Sequence, residues 1–193
     1  MAEPRILAFA GSARRESFNK KLLAIAVAGA EATGAKVTHI DLADFPLPLF
    51  NQDEEAEHGL PDNAVALKKL FLENDGLLMS CPEYNSSVTP LWKNTIDWVS
   101  RQAPGEGALA AYKGKVAALM SASPGRLGGL RGLVHVRAIL GNIGVLVLPE
   151  QVAVSEAHGS FTPDGKHHDQ KTHASVEKLG QGLAAFLKKM KSS

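Results

Sequence analysis

Cysteine is nearly missing from this chain: Cys81 is the only one among 193 residues, which leaves no internal disulfide and no thiolate cage for zinc. Charge of one sign is missing too, since 21 Lys and Arg face 20 Asp and Glu for a net +1. Such a balance gives no global field of the kind that nucleic acid or a membrane surface attracts. No apolar run approaches the ~18 residues of a spanning helix. The N-terminal apolar stretch, 6–10, is too short for a signal-peptide core, so a cytoplasmic protein is expected. The seven histidines include His167, His168 and His173, and His58 follows the acidic run 53–57, but their spacing matches no zinc pattern. The histidine group reads as a loop entering the last helix, the acidic run as a solvated loop, and Cys81, inside an apolar run, as a buried, inert thiol.

What the sequence does hold is an ordinary soluble composition, 45% hydrophobic and 21% charged, enough for one core and one domain over 1–193. Short apolar runs at 6–10, 37–42, 77–81, 116–121 and 145–148 read as strands. Helical periodicity follows the first of them and recurs near 91–101, 131–142 and 172–190, and Asp62 or Asn63 is placed to cap a further helix to about residue 74. Five short apolar strands separated by helices predict a doubly wound α/β fold, a five-stranded parallel sheet with helices on both faces. In the flavodoxin-like order 2-1-3-4-5, strands 1, 3 and 4 are neighbours, and the loops that leave their carboxyl ends converge on one crevice.

Those three loops are polar. The first, from Gly11 to Asn19, offers the hydroxyls of Ser12 and Ser17, the guanidinium groups of Arg14 and Arg15, and the free N–H groups of a helix start. Together they suit an anion, and a terminal monophosphate better than a pyrophosphate, because both the P-loop and the three-glycine dinucleotide pattern are missing. Solvated arginines and a Ser17 that merely caps its helix would account for the same residues. The second loop, Pro82-Glu83-Tyr84-Asn85-Ser86-Ser87, ends a buried-looking strand with an aromatic, an amide and hydroxyls. The third runs from Ser121 and Ser123 through Gly125 and Arg126 to Gly128-Gly129, where the pair permits either a turn or a close approach to a flat ring.

Gly11-Ser12-x-Arg14-x-x-Ser17-x-Asn19, Pro82-Glu83-Tyr84-Asn85-x-Ser87, Lys93-Asn94-x-Ile96-Asp97-Trp98 and Gly128-Gly129 resemble the signature stretches of the NADPH-dependent FMN reductase family, most closely its bacterial quinone and chromate reductases. The resemblance implies an FMN phosphate held by Ser12, Arg14, Ser17 and Asn19, with Phe18 also among the cofactor-binding residues. It puts the flavin edge on Pro82, Glu83, Tyr84 and Asn85, with Ser86 close by, and completes the pocket with Ser121, Ser123 and Gly125. Relatives often carry Pro-Gly or Pro-Pro where this chain has Thr89-Pro90.

The same resemblance implies ping-pong hydride transfer from NADPH, or NADH, through FMN to a quinone, with chromate, azo dyes, nitroaromatics, ferric chelates or free flavin as other acceptors. Arg15 or Arg126 would meet the 2′-phosphate. Helical spacing makes at least one of Trp92 and Trp98 a core or subunit-contact residue; the resemblance favours contact and implies a homodimer or homotetramer with Arg131 and Glu150 as inter-subunit partners. No nucleophile paired with a base is present in the loops, and a flavin requires none. A flavodoxin-like electron carrier and a flavin-free scaffolding domain are the alternatives from other classes; the near-neutral charge speaks against the carrier.

Overall fold

A computed structural model describes residues 3–192. Five strands form one parallel sheet: β1 (Arg5–Ala10), β2 (Lys36–His39), β3 (Gly76–Ser80), β6 (Val116–Ala122) and β7 (Leu146–Val154), in the order β2-β1-β3-β6-β7. A two-stranded antiparallel hairpin, β4 (Glu83–Tyr84) and β5 (Ser87–Val88), lies between β3 and β6 in sequence. The helices are α1 (Phe18–Glu31), α2 (Gln52–His58), α3 (Asp62–Glu73), α4 (Pro90–Ser100), α5 (Leu130–Asn142) and α6 (Gln170–Met190).

The central strands are apolar over nearly their whole length, Ser80 and Ser121 at their carboxyl ends excepted, because both faces of the sheet are covered. Ile6, Ala8 and Ala10 of β1 point into one core with α1 and α6, joined by Leu78 of β3 and Ala118 and Met120 of β6. Leu7, Phe9, Leu77, Met79 and Leu119 point the other way, into a core with α3, α4 and α5. Cys81 lies in that second core, where burial pushes its thiol far above the ordinary range.

Several boundaries differ from the sequence expectation. Strand β2 stops at His39, because Asp41 folds back to accept from the Ala43 N–H and opens a short 3-10 turn. The acidic run 53–57 is helical: Asn51 caps α2 by accepting from the Asp53 N–H, and Glu55 pairs with Arg101 at 2.8 Å. Neither Asp62 nor Asn63 caps α3. Pro61 holds that position, and the Asn63 amide donates to the Pro46 carbonyl instead.

Strand β7 runs well past the expected end at Leu148 through an irregularity in which Leu148, Pro149 and Glu150 stand opposite the single residue Ala118. The carbonyls this frees are met by the Arg137 guanidinium, which donates to Leu148 O (2.8 Å), Pro149 O (3.0 Å) and Gln151 Oε1 (2.7 Å). Proline and two polar residues hide such a strand from an apolar-run reading.

Trp92 and Trp98 are both sealed inside the chain, each 1% exposed, which removes them from an inter-subunit surface. The indole N–H of Trp98 donates to Pro48 O, and Phe50 stands edge-on to its ring. Asn94 completes the attachment by donating to Pro48 O and accepting from the Phe50 N–H.

On the opposite face α1 and α6 cross at glycines: a Cβ on Gly29 would lie 2.3 Å from Glu177 O, and one on Gly180 1.9 Å from Ala26 O. Gly182, on the same helix, faces open space. Gly180→Ala must therefore separate the two helices, at about 3 kcal/mol, which lowers Tm by about 6–12 °C. Gly182→Ala should be neutral or stabilising by up to about 1 kcal/mol. Thermal denaturation of the two variants side by side checks the crossing, and equal stabilities would refute it.

Candidate functional site

The carboxyl ends of β1, β3 and β6 lie side by side, and the loops that follow them meet there. Main-chain bonds carry the pairing past the strand ends, from Gly11 N–H to Ser80 O (2.9 Å) and from Cys81 N–H to Met120 O (2.8 Å). Thr89 adds a side-chain tie. It caps α4 by accepting from the Trp92 N–H, and its own hydroxyl donates to Gly11 O at 2.8 Å. With Pro90 at the first helical position, Thr89-Pro90 is a well-formed helix start.

The β1–α1 loop presents donors with few internal acceptors, the exceptions being the Arg14 N–H to Ser12 Oγ and Arg14 Nη2 to Glu16 O, both at 3.4 Å. The first helical return bond of α1 runs from Lys21 N–H to Ser17 O, so the N–H groups of Phe18, Asn19 and Lys20 ahead of it have no acceptor within the helix. Ser17 occupies the N-cap position, but its hydroxyl makes no capping bond. Ser12 is 8% exposed and Ser17 3% exposed. Arg14 lies at the surface, its carbon skeleton turned so that the guanidinium sits 5.9 Å above the Phe18 ring. These are the donors that a phosphomonoester needs, gathered at the positive end of a helix dipole.

The second loop is the β4–β5 hairpin. Asn85 and Ser86 both take positive φ (49° and 69°), as a two-residue hairpin turn requires. Tyr84 is 52% exposed, while the Glu83 carboxylate turns inward. It accepts from Arg131 Nε (3.0 Å), Arg131 Nη2 (2.6 Å) and the Gly132 N–H (3.0 Å).

The reason lies in the third loop. Gly129, the N-cap residue of α5, has φ 89° and no side chain to cap with, and a Cβ there would fall 2.0 Å from Ser121 Oγ. Glu83 therefore caps α5 from another loop. Burial raises its carboxyl, but the Gly132 N–H and Arg131 outweigh that and hold it below the usual carboxylate range.

The sequence-predicted residues thus come together unequally. Ser12, Arg14, Ser17, the Phe18 main chain, Pro82, Tyr84, Asn85, Ser86, Ser123 and Gly125 lie on the three converging loops. Ser121 is wholly buried beneath Gly129, with no hydrogen-bond partner for its hydroxyl, so its side chain packs under the third loop. The side chains of Asn19 and Glu83 are turned into the protein. Arg131, expected at a subunit contact, spends its guanidinium on Glu83 of its own chain, while Glu150 belongs to the irregular part of β7.

Sequence reasoning missed the segment after β7. Ala157 N–H donates to Ser123 O and Glu156 N–H to Gly125 O, which ties this segment to the third loop. Phe161 stacks on Phe18 and His158 meets the Phe18 ring edge-on, so the segment also braces the start of α1. His167 and His173 serve it locally: His167 N–H donates to His173 Nδ1, and His167 Nδ1 accepts from the Asp169 N–H. Phe161, seven residues beyond the end of β7, carried the one available signal, an aromatic in a polar stretch.

Glu83→Ala removes a helix cap, about 1 kcal/mol, and a half-exposed ion pair of about 1 kcal/mol. The combined loss lowers Tm by roughly 4–8 °C. Because the folded carboxyl is held low, its contribution is complete above the ordinary carboxylate range and is lost as pH falls through the folded value. The deficit of Glu83→Ala relative to wild type should therefore shrink below about pH 4. A pH series of melting curves reads this, and a deficit constant from pH 7 to 3 would contradict it.

The sequence profile described as NADPH-dependent FMN reductase matches residues 4–159. An NAD(P)H-dependent FMN reductase of Pseudomonas aeruginosa is 33% identical over 189 residues, covering 97% of each chain. A quinone reductase of Escherichia coli K12 is 34% identical over 148 residues, 75% of this chain and 73% of the other. Among solved structures, the flavoenzyme NAD(P)H:(acceptor) oxidoreductase FerB of Paracoccus denitrificans superposes with a TM-score of 0.80 at 26% identity, covering 96% of this chain and 98% of its own. With a match over most of its length and a flavodoxin-like sheet beneath the three loops, the chain belongs to the NADPH-dependent FMN reductase family.

Proposed function

We propose that this chain is an FMN-dependent NAD(P)H oxidoreductase whose main acceptors are quinones, with chromate, azo dyes, nitroaromatics, ferric chelates and free flavin as others that an open planar pocket accommodates. The observation that carries this reading is the convergence of three polar loops over β1, β3 and β6, with the N–H groups that start α1 and the uncapped Ser17 hydroxyl at one end. Tyr84, 52% exposed, lies on the second loop, and a Cβ on Gly125 of the third loop would meet nothing nearer than Ser123 Oγ at 3.6 Å.

The residues divide the work by chemistry. Ser12, Ser17, Arg14 and the N–H groups at the start of α1 hold a phosphate dianion. The hairpin and the 123–129 loop offer N–H and C=O groups to the edge of a flat ring, and Tyr84 gives that ring or an acceptor an apolar wall with a polar tip. Bound FMN supplies the two-electron exchange between a nicotinamide and the acceptor. No side chain of the site is asked to act as nucleophile, and orientation with exclusion of water is the protein's share. Arg15 and Arg126, exposed on the first and third loops, are the proposed partners of a nicotinamide 2′-phosphate.

A homodimer or homotetramer belongs to the same reading. Leu130 and Val134, one turn apart on α5, are 42% and 58% exposed, and a shallow groove lined by Ile96 and Asp97 of α4 and Ala138 and Ile139 of α5 continues that face. Apolar side chains in such a row suit a second copy of the chain. Among the described residues no helix is long and apolar enough to cross a membrane. A single domain in a cytoplasmic setting, with NADPH as the preferred donor, completes the proposal.

Two measurements test it. In anaerobic absorbance, FMN-loaded protein should lose its flavin band on one equivalent of NADPH and regain it on a benzoquinone. A band unmoved by NADPH or NADH would leave an electron carrier, and failure to take up FMN would leave a scaffold. Light scattering at micromolar concentration should give at least twice the 20.5 kDa chain mass; the mass of one chain would refute the oligomer.

A further inference from the structure

Asn19 follows Ser17 and Phe18 in the phosphate-side motif, yet it is 4% exposed and its amide is committed inside the protein. Nδ2 donates to Ala122 O at 2.8 Å. Oδ1 accepts from the Ala122 N–H at 3.0 Å and from Ser80 Oγ at 2.9 Å. The donor and acceptor on Ala122 fix which way the amide faces, since a flipped amide would set like against like twice.

The positions of the partners give these bonds their meaning. Ser80 is the last residue of β3 and Ala122 the last of β6, while Asn19 stands in the first turn of the helix that follows β1. One side chain therefore joins the three elements at the level where the three loops begin. Its two bonds to Ala122 copy the way one strand residue pairs with another. What remains of Asn19 for a ligand is its main-chain N–H, which any residue would supply.

We propose that Asn19 is a positioning residue, whose amide sets the spacing between the β1–α1 loop and the β6–α5 loop and thereby controls binding of the whole flavin and not of its phosphate alone. This rests on the FMN reading above and assigns within it a role different from the phosphate ligand that the motif suggests. Asp at this position offers a sharper probe than Ala. Ionised, it cannot donate to Ala122 O; protonated, its O–H can donate there while the other oxygen accepts from the Ala122 N–H, which restores the pattern. Burial favours the protonated form. The groups facing it, Ser80 and Ala122, are uncharged, the neighbouring Cys81 thiol stays protonated, and Lys20 and Lys21 are paired with Asp41 and Glu16.

The test is a fluorescence titration of the apoprotein with FMN and with riboflavin, for wild type, Asn19→Ala, Asn19→Asp and Arg14→Ala, each with a melting curve. Arg14→Ala should weaken FMN about tenfold and leave riboflavin unchanged. Asn19→Ala should weaken both about tenfold, keeping their ratio, in protein that is still folded at the assay temperature. Asn19→Asp should bind riboflavin poorly at pH 8 and recover toward wild type as pH falls to 5.5, whereas wild type stays flat. Riboflavin has no phosphate to titrate, so the recovery reports the protein.

An Asn19→Ala variant that loses FMN alone would make Asn19 a direct phosphate ligand and overturn the assignment. So would one that loses melting temperature but neither affinity, which is the mark of a purely structural residue. Should Asn19→Ala fail to fold, the pH recovery of Asn19→Asp decides by itself, and its absence overturns the assignment. Wild-type protein that binds neither flavin would overturn the FMN reading, and this role with it; variants that misbehave beside a flavin-binding wild type sink only the role.

Discussion

Main-chain pairing of β1 with β3 and of β3 with β6 is the constraint on which the remaining structure depends. Parallel strands covered on both faces place all their carboxyl ends on one side, and only adjacent strands bring their loops within reach of a single small molecule. The apolar side chains decide that the sheet is central, but the register decides that Gly11, Cys81 and Ser123 leave it at nearby heights. The bonds that continue the ladder beyond the strand ends, Gly11 to Ser80 and Cys81 to Met120, keep the loops in step for one residue more. After that, side chains take over the task.

Each of those side chains answers a local deficit in the backbone. The third loop needs Gly129 in a left-handed conformation packed against Ser121, which leaves α5 without a cap of its own, and Glu83 supplies one from the hairpin. The helix start of α4 is held by Thr89, whose hydroxyl also fastens the first loop. The hairpin turn places two non-glycine residues at positive φ, a conformation that costs on the order of 1 kcal/mol at each, and the cross-ties from Glu83 and from Ser87 to His135 hold it there. The site is thus stiffened by bonds between loops, and a ligand meets a surface already arranged.

How far this could be read from sequence follows from the kind of signal involved. Period and punctuation expose the apolar strands β1, β3 and β6 and the helices around them, because burial on both faces writes itself as continuous Val, Leu, Ile and Ala. The later half of β7 is invisible to that signal: Pro149, Glu150 and Gln151 interrupt the apolar run, and the arginine that repairs the interruption lies on another element. The 53–57 run looks like a solvated loop because a short exposed helix has no apolar face to show. The loops that would hold a flavin were legible as polar breaks after strands, yet which atoms face outward was not. Glu83, Asn19 and Ser121 have the right chemistry at the right place and turn it inward.

That inward turning bears on what a motif records. Lys93, Asn94, Asp97 and Trp98 are among the residues that make the chain recognisable, and the structure gives them work away from the pocket. Lys93 and Asp97 pair along α4 at 2.7 Å, and Asn94 and Trp98 fasten the 48–50 segment by the Pro48 carbonyl and the Phe50 N–H. A main chain that must be held irregular needs side chains of fixed hydrogen-bonding pattern, and such positions tolerate substitution as poorly as a ligand contact does. Motif residues in this fold therefore divide into those whose hydroxyls or guanidinium are not tied to another strand or helix, Ser12, Arg14 and Ser17, and those whose donors and acceptors are consumed by the protein itself. Sequence pattern alone ranks the two alike, and so does burial, with Ser17 3% and Asn19 4% exposed; partner geometry separates them.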